Sequence, residues 1–282
     1  MKRTAIFFAA LLTLSFTLVA LTRSARSNPK YRWVRAVDTG VKTWPRWVVP
    51  LNANDGTLRM IADNATWTSA DGINWSMEPH NASKAVRPGT SQIFFKGHFW
   101  LMGGMNNWSQ FTNEIWSSPD GTQWTQVAEQ TPWSARRNAM LVEFNNNLWL
   151  LGGAKSNGTP EVMSARSLRD VWQSADGVRW IRISDNLPAG GEKALVFQSH
   201  IWVLGRGGAW RSNDGVSWHQ TANGKPFINR GSFGATVYDG RMWLFGGVGR
   251  DKTLNDVWSS VDGVTWQLET DHAPWFPRGA GR

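Results

Sequence analysis

The chain has 282 residues, 41% of them hydrophobic, and a formal net charge of +9. It has no cysteine, which excludes a disulfide framework and a lipidated N-terminal cysteine. The length suits one large β domain, and the positive charge favours acidic partners such as anionic sugars, nucleic acid or lipid surfaces.

The chain opens Met1-Lys2-Arg3 and then runs apolar from Ala5 to Leu21. A basic start before an apolar run predicts an export signal. Thr22 and Ser24 are the best small-residue pair for cleavage. A run of about 17 residues is also near the short limit of a membrane span. Residues 1–26 are therefore expected to be a cleaved signal peptide or an N-terminal membrane anchor through residues 5–21. Either places residues 31–282 outside the cytoplasm, in the periplasm, secreted, or held at the inner membrane. Export removes nucleic acid from the partner classes and leaves membrane contact to that anchor.

Further along, one nine-residue phrase recurs five times, at Trp67–Trp75, Trp116–Trp124, Trp172–Trp180, Trp210–Trp218 and Trp258–Trp266. Each copy reads Trp-x-Ser-x-Asp-Gly-x-x-Trp. The x-Asp-Gly centre predicts a three-residue hairpin loop with glycine in the left-handed region. That fold places Trp67 opposite Trp75 on paired strands. Upstream of four copies lies an apolar strand ending in glycine: Phe99–Gly104, Leu148–Gly153, Ile201–Arg206 and Met242–Gly247. The first copy, Leu58–Asp63, is degenerate. A further apolar strand precedes each, and units recur every 41 to 53 residues. Many short strands at even spacing predict an all-β protein whose four-stranded units are propeller blades.

The Leu148-Trp149-Leu150-Leu151-Gly152-Gly153 strand, with Asn255-Asp256-Val257-Trp258, resembles a kelch repeat of the galactose oxidase-like β-propellers, over about residues 31 to 282. The Ser-x-Asp-Gly-x-x-Trp hairpin resembles the Asp-box of sialidase-type propellers but is one residue shorter, so no sialidase activity is carried over. The copper site of galactose oxidase needs a cysteine-linked tyrosine, and a chain without cysteine cannot form it. No cofactor and no metal are expected. The histidines show no metal-ligand spacing, and no nucleophile elbow or P-loop is present.

The distance from the last Trp of one phrase to the next unit's arginine is twelve residues for Arg87, Arg136, Arg230 and Arg278. Trp33 and Arg46 are thirteen apart. The strand at Trp33 is thus expected to be the fourth of a partial sixth blade whose first strand starts at Arg278. A six-bladed plan then leaves about forty residues unaccounted for, as expected of a propeller truncated at its C-terminus; the alternative is that five blades close and the end segments are ornaments. The open strand edges invite another chain.

That spacing defines a column: Arg46, Arg87, Arg136, Ala189, Arg230 and Arg278. These positions start the innermost strands, so the guanidiniums are expected to ring one mouth of the channel. Guanidinium suits bidentate recognition of carboxylates. The opposing expectation is that each arginine pairs with a local carboxylate or carbonyl. Some kelch propellers hold acidic ligands with arginines at this location. Trp44, Trp108, Trp133, Trp275 and Phe227 stand in the same loops and are candidate stacking surfaces for sugar rings. The fourth unit breaks the pattern, with Ala189 in the column, Glu192 nearby and Arg206 at a glycine position; the first unit has Asp63 at that glycine position. Glu192, Arg206 and Asp63 are candidate catalytic residues, and a plain Glu192–Arg206 salt bridge is the alternative.

Three functions follow. The first is a non-catalytic exported propeller binding an anionic or polar saccharide at the Arg/Trp mouth. The second is a mutarotase or epimerase of acidic sugars such as sialic acid, by resemblance to exported kelch enzymes. The third is a protein-interaction scaffold using the loop Ala154–Asp170, with Arg166 and Arg169.

Overall fold

The computed structural model describes residues 4–8, 18–22, 32–35, 49–52, 55–62, 65–71, 74–81, 84–106, 110–156, 165–224 and 226–277. Trp44, Arg46, Asp63, Trp108 and Arg278 lie outside the described residues.

Five antiparallel four-stranded sheets follow one another along the chain in a propeller arrangement. Blade one is Val49–Asn52, Leu58–Ile61, Ala65–Ser69 and Ser76–Pro79. Blade two is Ser91–Phe95, His98–Met102, Ile115–Ser118 and Thr125–Ala128. Blade three is Met140–Phe144, Asn147–Leu151, Val171–Ser174 and Ile181–Ser184. Blade four is Gly191–Phe197, His200–Gly205, Gly208–Ser212 and His219–Ala222. Blade five is Gly234–Tyr238, Arg241–Val248, Thr253–Ser260 and Gln267–Thr270. The first strand of each blade lies beside the first strand of the next.

The first two strands of blades two to five are joined by two-residue turns. Both central residues have positive φ: Lys96-Gly97, Asn145-Asn146, Gln198-Ser199 and Asp239-Gly240. Such turns match the twist of the flanking strands.

Each seam between blades is filled by its own apolar cluster. Phe99 and Leu101 pack with Leu51 and Ile61 between blades one and two. Phe95 and Trp100 pack with Leu148 and Leu150 between two and three. Val142 and Trp149 meet Ile201 and Val203 between three and four. Phe197 and Trp202 meet Phe233 and Leu244 between four and five. The second-strand tryptophan of one blade covers the Asp-Gly turn of the next. A Cβ on Gly177 would lie 2.6 Å from the Trp100 ring, and one on Gly215 would lie 2.5 Å from Trp149. Gly177 also has φ +81, so both space and backbone require glycine there.

The Asp-Gly turns differ from the expected three-residue hairpin. Trp67 stands opposite Met77, not Trp75. Trp116, Trp172 and Trp258 likewise face Gln126, Arg182 and Leu268. The reason is local hydrogen bonding. Ser118 Oγ accepts from the Asp120 and Gly121 amides, and Asp120 Oδ1 accepts from the Thr122 and Gln123 amides. The chain wraps around this Ser–Asp pair, which lengthens the loop. The second Trp folds beneath it, with Trp124 Nε1 donating to Gly121 O at 2.9 Å.

The N-terminal segments Thr4–Phe8, Leu18–Thr22 and Arg32–Arg35 form a separate antiparallel sheet. The strand at Trp33, expected as the fourth of a sixth blade, pairs with Leu18–Thr22, with Trp33 opposite Leu21.

Candidate functional site

The loops that precede the first strands, and the glycine pairs that end the second strands, meet at one face of the propeller. Gly103-Gly104, Gly152-Gly153 and Gly246-Gly247 all have positive φ. Without side chains they let the neighbouring arginine loop come close. A Cβ on Gly103 would lie 2.5 Å from Arg136 O, and the Gly104 amide donates to that same carbonyl at 2.9 Å.

The described arginines of the column, Arg87, Arg136 and Arg230, are internal clamps. Arg136 is 1% exposed and forms two parallel hydrogen bonds to Asp170, at 2.7 and 2.6 Å. It also donates to Gly152 O and Ser134 O. Arg230 repeats this with Asp256 at 2.6 Å twice, plus Gly246 O and Pro226 O. Arg87 pairs with Glu114 at 3.2 and 3.1 Å. The same carboxylates accept from the blade tryptophan: Trp116 to Glu114, Trp172 to Asp170 and Trp258 to Asp256. Burial works against the charged form of Asp170, but the Arg136 hydrogen bonds and charge outweigh it and hold this carboxyl below the usual aspartate range. Arg136 and Arg230 thus each make four hydrogen bonds inside the protein, whereas Arg87 makes two, both to Glu114.

The residue before each clamp carboxylate fixes the aromatic loop. Asn113 Nδ2 donates to Thr131 O and Trp133 O, and Asn255 Nδ2 donates to Ala273 O and Trp275 O. In blade three Arg169 Nε takes this place, donating to Leu187 O at 2.7 Å. Trp133 is 1% exposed, with Arg136 over its ring at 5.6 Å and Trp180 packed edge-on. Phe227 is 0% exposed and meets Trp266 edge-on at 5.2 Å. A ligand at the mouth does not reach these two rings. Trp275 is partly buried against the far flank of blade five. Its neighbour Phe276, which sequence reading passed over, is 82% exposed.

Blade four has neither charged member of the clamp, with Ala189 for the arginine and Gly208 for the carboxylate. Gly208 has φ +138, and a Cβ there would fall 1.9 Å from Ala222 O, so no acid fits. In their place Glu192 Oε1 accepts from Arg206 Nε at 3.2 Å, while Glu192 Oε2 accepts from the Ser232 amide of blade five. The expected Glu192–Arg206 bridge is present and doubles as a staple between blades four and five. The Arg206 side chain is 69% exposed. Asp63, proposed to work with this pair, lies outside the described residues.

Arg137 is a second residue that sequence reading passed over. Its guanidinium lies 5.3 Å from the Phe111 ring centroid and its Nη1 is 3.7 Å from Met105 Sδ. It has no carboxylate partner among the described residues, and its Nε is buried without a hydrogen bond. The signal was available: among the clamp positions of the sequence, Arg136 is the one followed by a second arginine.

Among the described residues no group of three histidine, aspartate or glutamate side chains is placed to hold a metal ion. Residues 118–230 match the model of a family described as the DUF6242 beta propeller domain, a stretch that runs from the Asp-Gly turn of blade two to the clamp arginine of blade five. No curated protein matches the chain.

Proposed function

We propose that the chain is an exported, non-catalytic binding propeller that takes an acidic saccharide at the clamp face, centred on blade four. The carrying observation is the rebuilt blade. Where blades two, three and five close a guanidinium onto a carboxylate, blade four leaves Arg206 largely in solvent. Arg137, in the neighbouring blade, is a further cation without a carboxylate partner among the described residues. An exposed guanidinium suits a carboxylate that arrives from outside. Both oxygens of Glu192 are engaged, which favours a positioning role over acid or base work.

The test is a thermal melt of the chain with glucuronate, galacturonate and glucose. Ligand at a hundred times its dissociation constant adds about 2.7 kcal/mol. Acidic sugars are expected to raise the midpoint and glucose to leave it unchanged. No shift with either acidic sugar rejects the reading.

A protein-scaffold role is the second reading. It rests on the hairpin of Ala154–Ser156 with Ala165–Ser167, where Arg166 is exposed and Lys155 stands opposite it. Substituting Lys155 and Arg166 by Gln together would remove capture of an acidic protein partner if this reading holds.

A further inference from the structure

We propose that Lys193 is the anchor for the ligand's carboxylate, at the seam between blades four and five. This rests on the anionic-ligand reading above and names the residue that would select for charge.

Lys193 stands on the first strand of blade four, opposite Leu204. The same level is held by Ser91 in blade two, Met140 in blade three and Gly234 in blade five, opposite Met102, Leu151 and Phe245. Ser91 spends its hydroxyl on Ala139 O at 2.7 Å. Met140 is buried in the seam with blade four. Gly234 has no side chain to offer. Blade four alone of these puts a cation at this level.

A charge count at the seam comes out uneven. Arg206 and Lys193 supply two cations, and Glu192 supplies one carboxylate. Both oxygens of that carboxylate are already used, by Arg206 Nε and by the Ser232 amide. Among the described residues the Lys193 amine has no hydrogen-bond or ion-pair partner, and the nearby charge that acts on it is Glu192. The residue as a whole is partly exposed at this level of the strand. Charges on the packed elements do not complete the balance. The first strand of blade five, Gly234–Tyr238, has none. The first strand of blade three has Glu143, which is exposed and lies three residues beyond Met140. A half-buried cation with no fixed counter-ion is costly, and one carboxylate from a ligand would relieve it. Burial favours the neutral amine here. A bound carboxylate favours the ammonium, so in alkaline buffer binding is expected to draw a proton onto the neutral fraction of Lys193.

Isothermal titration calorimetry of the full chain with glucuronate, in alkaline buffers of different ionisation enthalpy, tests this. The expected result is proton uptake on binding by the wild-type chain. Lys193→Met is expected to weaken glucuronate binding about tenfold to a hundredfold and abolish the uptake. Lys193→Arg is expected to retain binding without the uptake. Glucuronate binding by the wild type with no proton uptake, or binding unchanged in Lys193→Met, overturns the assignment of Lys193 and leaves the anionic-ligand reading standing. No binding by the wild type overturns both. The uptake measurement needs no variant, so a Lys193→Met protein that fails to fold leaves the test intact.

Discussion

Blades three and four have the same strands and the same Asp-Gly turn, yet opposite mouths. At the turn, Ser174 and Asp176 in blade three hold the same four amides that Ser212 and Asp214 hold in blade four. At the mouth, blade three seals Arg136 onto Asp170, while blade four exposes Arg206 and gives Lys193 no ion-pair partner among the described residues. The turn is dictated by contacts within a few residues, so it recurs wherever the phrase recurs. The mouth depends on groups far apart in the chain, so one blade can be rebuilt without disturbing its strands. Function in this repeat is therefore sought where the long-range pairing is missing.

Breaking the blade-three clamp should have the largest effect. Arg136→Met leaves Asp170 buried and unpaired, and should cost about 3–5 kcal/mol of stability in chemical denaturation. A loss below about 1 kcal/mol would mean that the clamp is not what holds this seam. Acid should act in the same direction. The folded Asp170 carboxyl titrates below its ordinary 3.8, so its stabilisation is complete above that pH and is lost as pH falls below it. The turn residue Asp120 behaves alike. Desolvation opposes its charge, but the Gln123 and Thr122 amides prevail and lower it to about 2. Stability followed between pH 5 and pH 2 should therefore fall most steeply below about 3.8 in the wild type, and less steeply in Asp170→Asn.

A glycine pair sharpens the turn side of the comparison. Gly177→Ala meets both a positive φ and the Trp100 ring, and should cost about 1–3 kcal/mol. Gly224→Ala meets nothing within 4 Å and should change stability by less than about 0.5 kcal/mol. Equal effects at the two sites would show that the tryptophan does not lock the turn.

The blade-four changes should be smallest in stability. Arg206→Gln removes an exposed pair and should cost less than about 1 kcal/mol, while lowering affinity for glucuronate in the same titration. Ala189→Arg puts back half the clamp. With Gly208 unable to accept an acid, it should move stability by less than about 0.5 kcal/mol. A clear stabilisation would mean that another carboxylate serves the clamp in this blade.

Much of this was legible in the chain itself. The five phrases and the Gly-ended strands count the blades, because each blade repeats one set of local rules. The arginine column was legible too, as was the Glu192–Arg206 bridge. The identity of the clamp partners was not, since Arg87 and Glu114 lie 27 residues apart, Arg136 and Asp170 34, and Arg230 and Asp256 26. A second column two residues before each blade tryptophan did carry the signal. Glu114, Asp170 and Asp256 stand there, and Gly208 stands there in blade four, where the arginine is also missing. The hairpin register was misjudged by two residues because side-chain acceptors set the loop length, and Trp67 therefore faces Met77.

The sequence by itself determined the repeat, the turn chemistry and the charge, because strand periodicity, Asp-Gly loops and composition act over a few residues. The tertiary structure alone decided which cations are spent. Arg136 and Arg230 are buried against carboxylates brought to them by blade closure, and the rings of Trp133 and Phe227 are enclosed by the same packing. Arg206 keeps most of its side chain in solvent although Glu192 bridges it, and the backbone at Gly208 leaves no room for an acid, a close approach to Ala222 that only the fold creates.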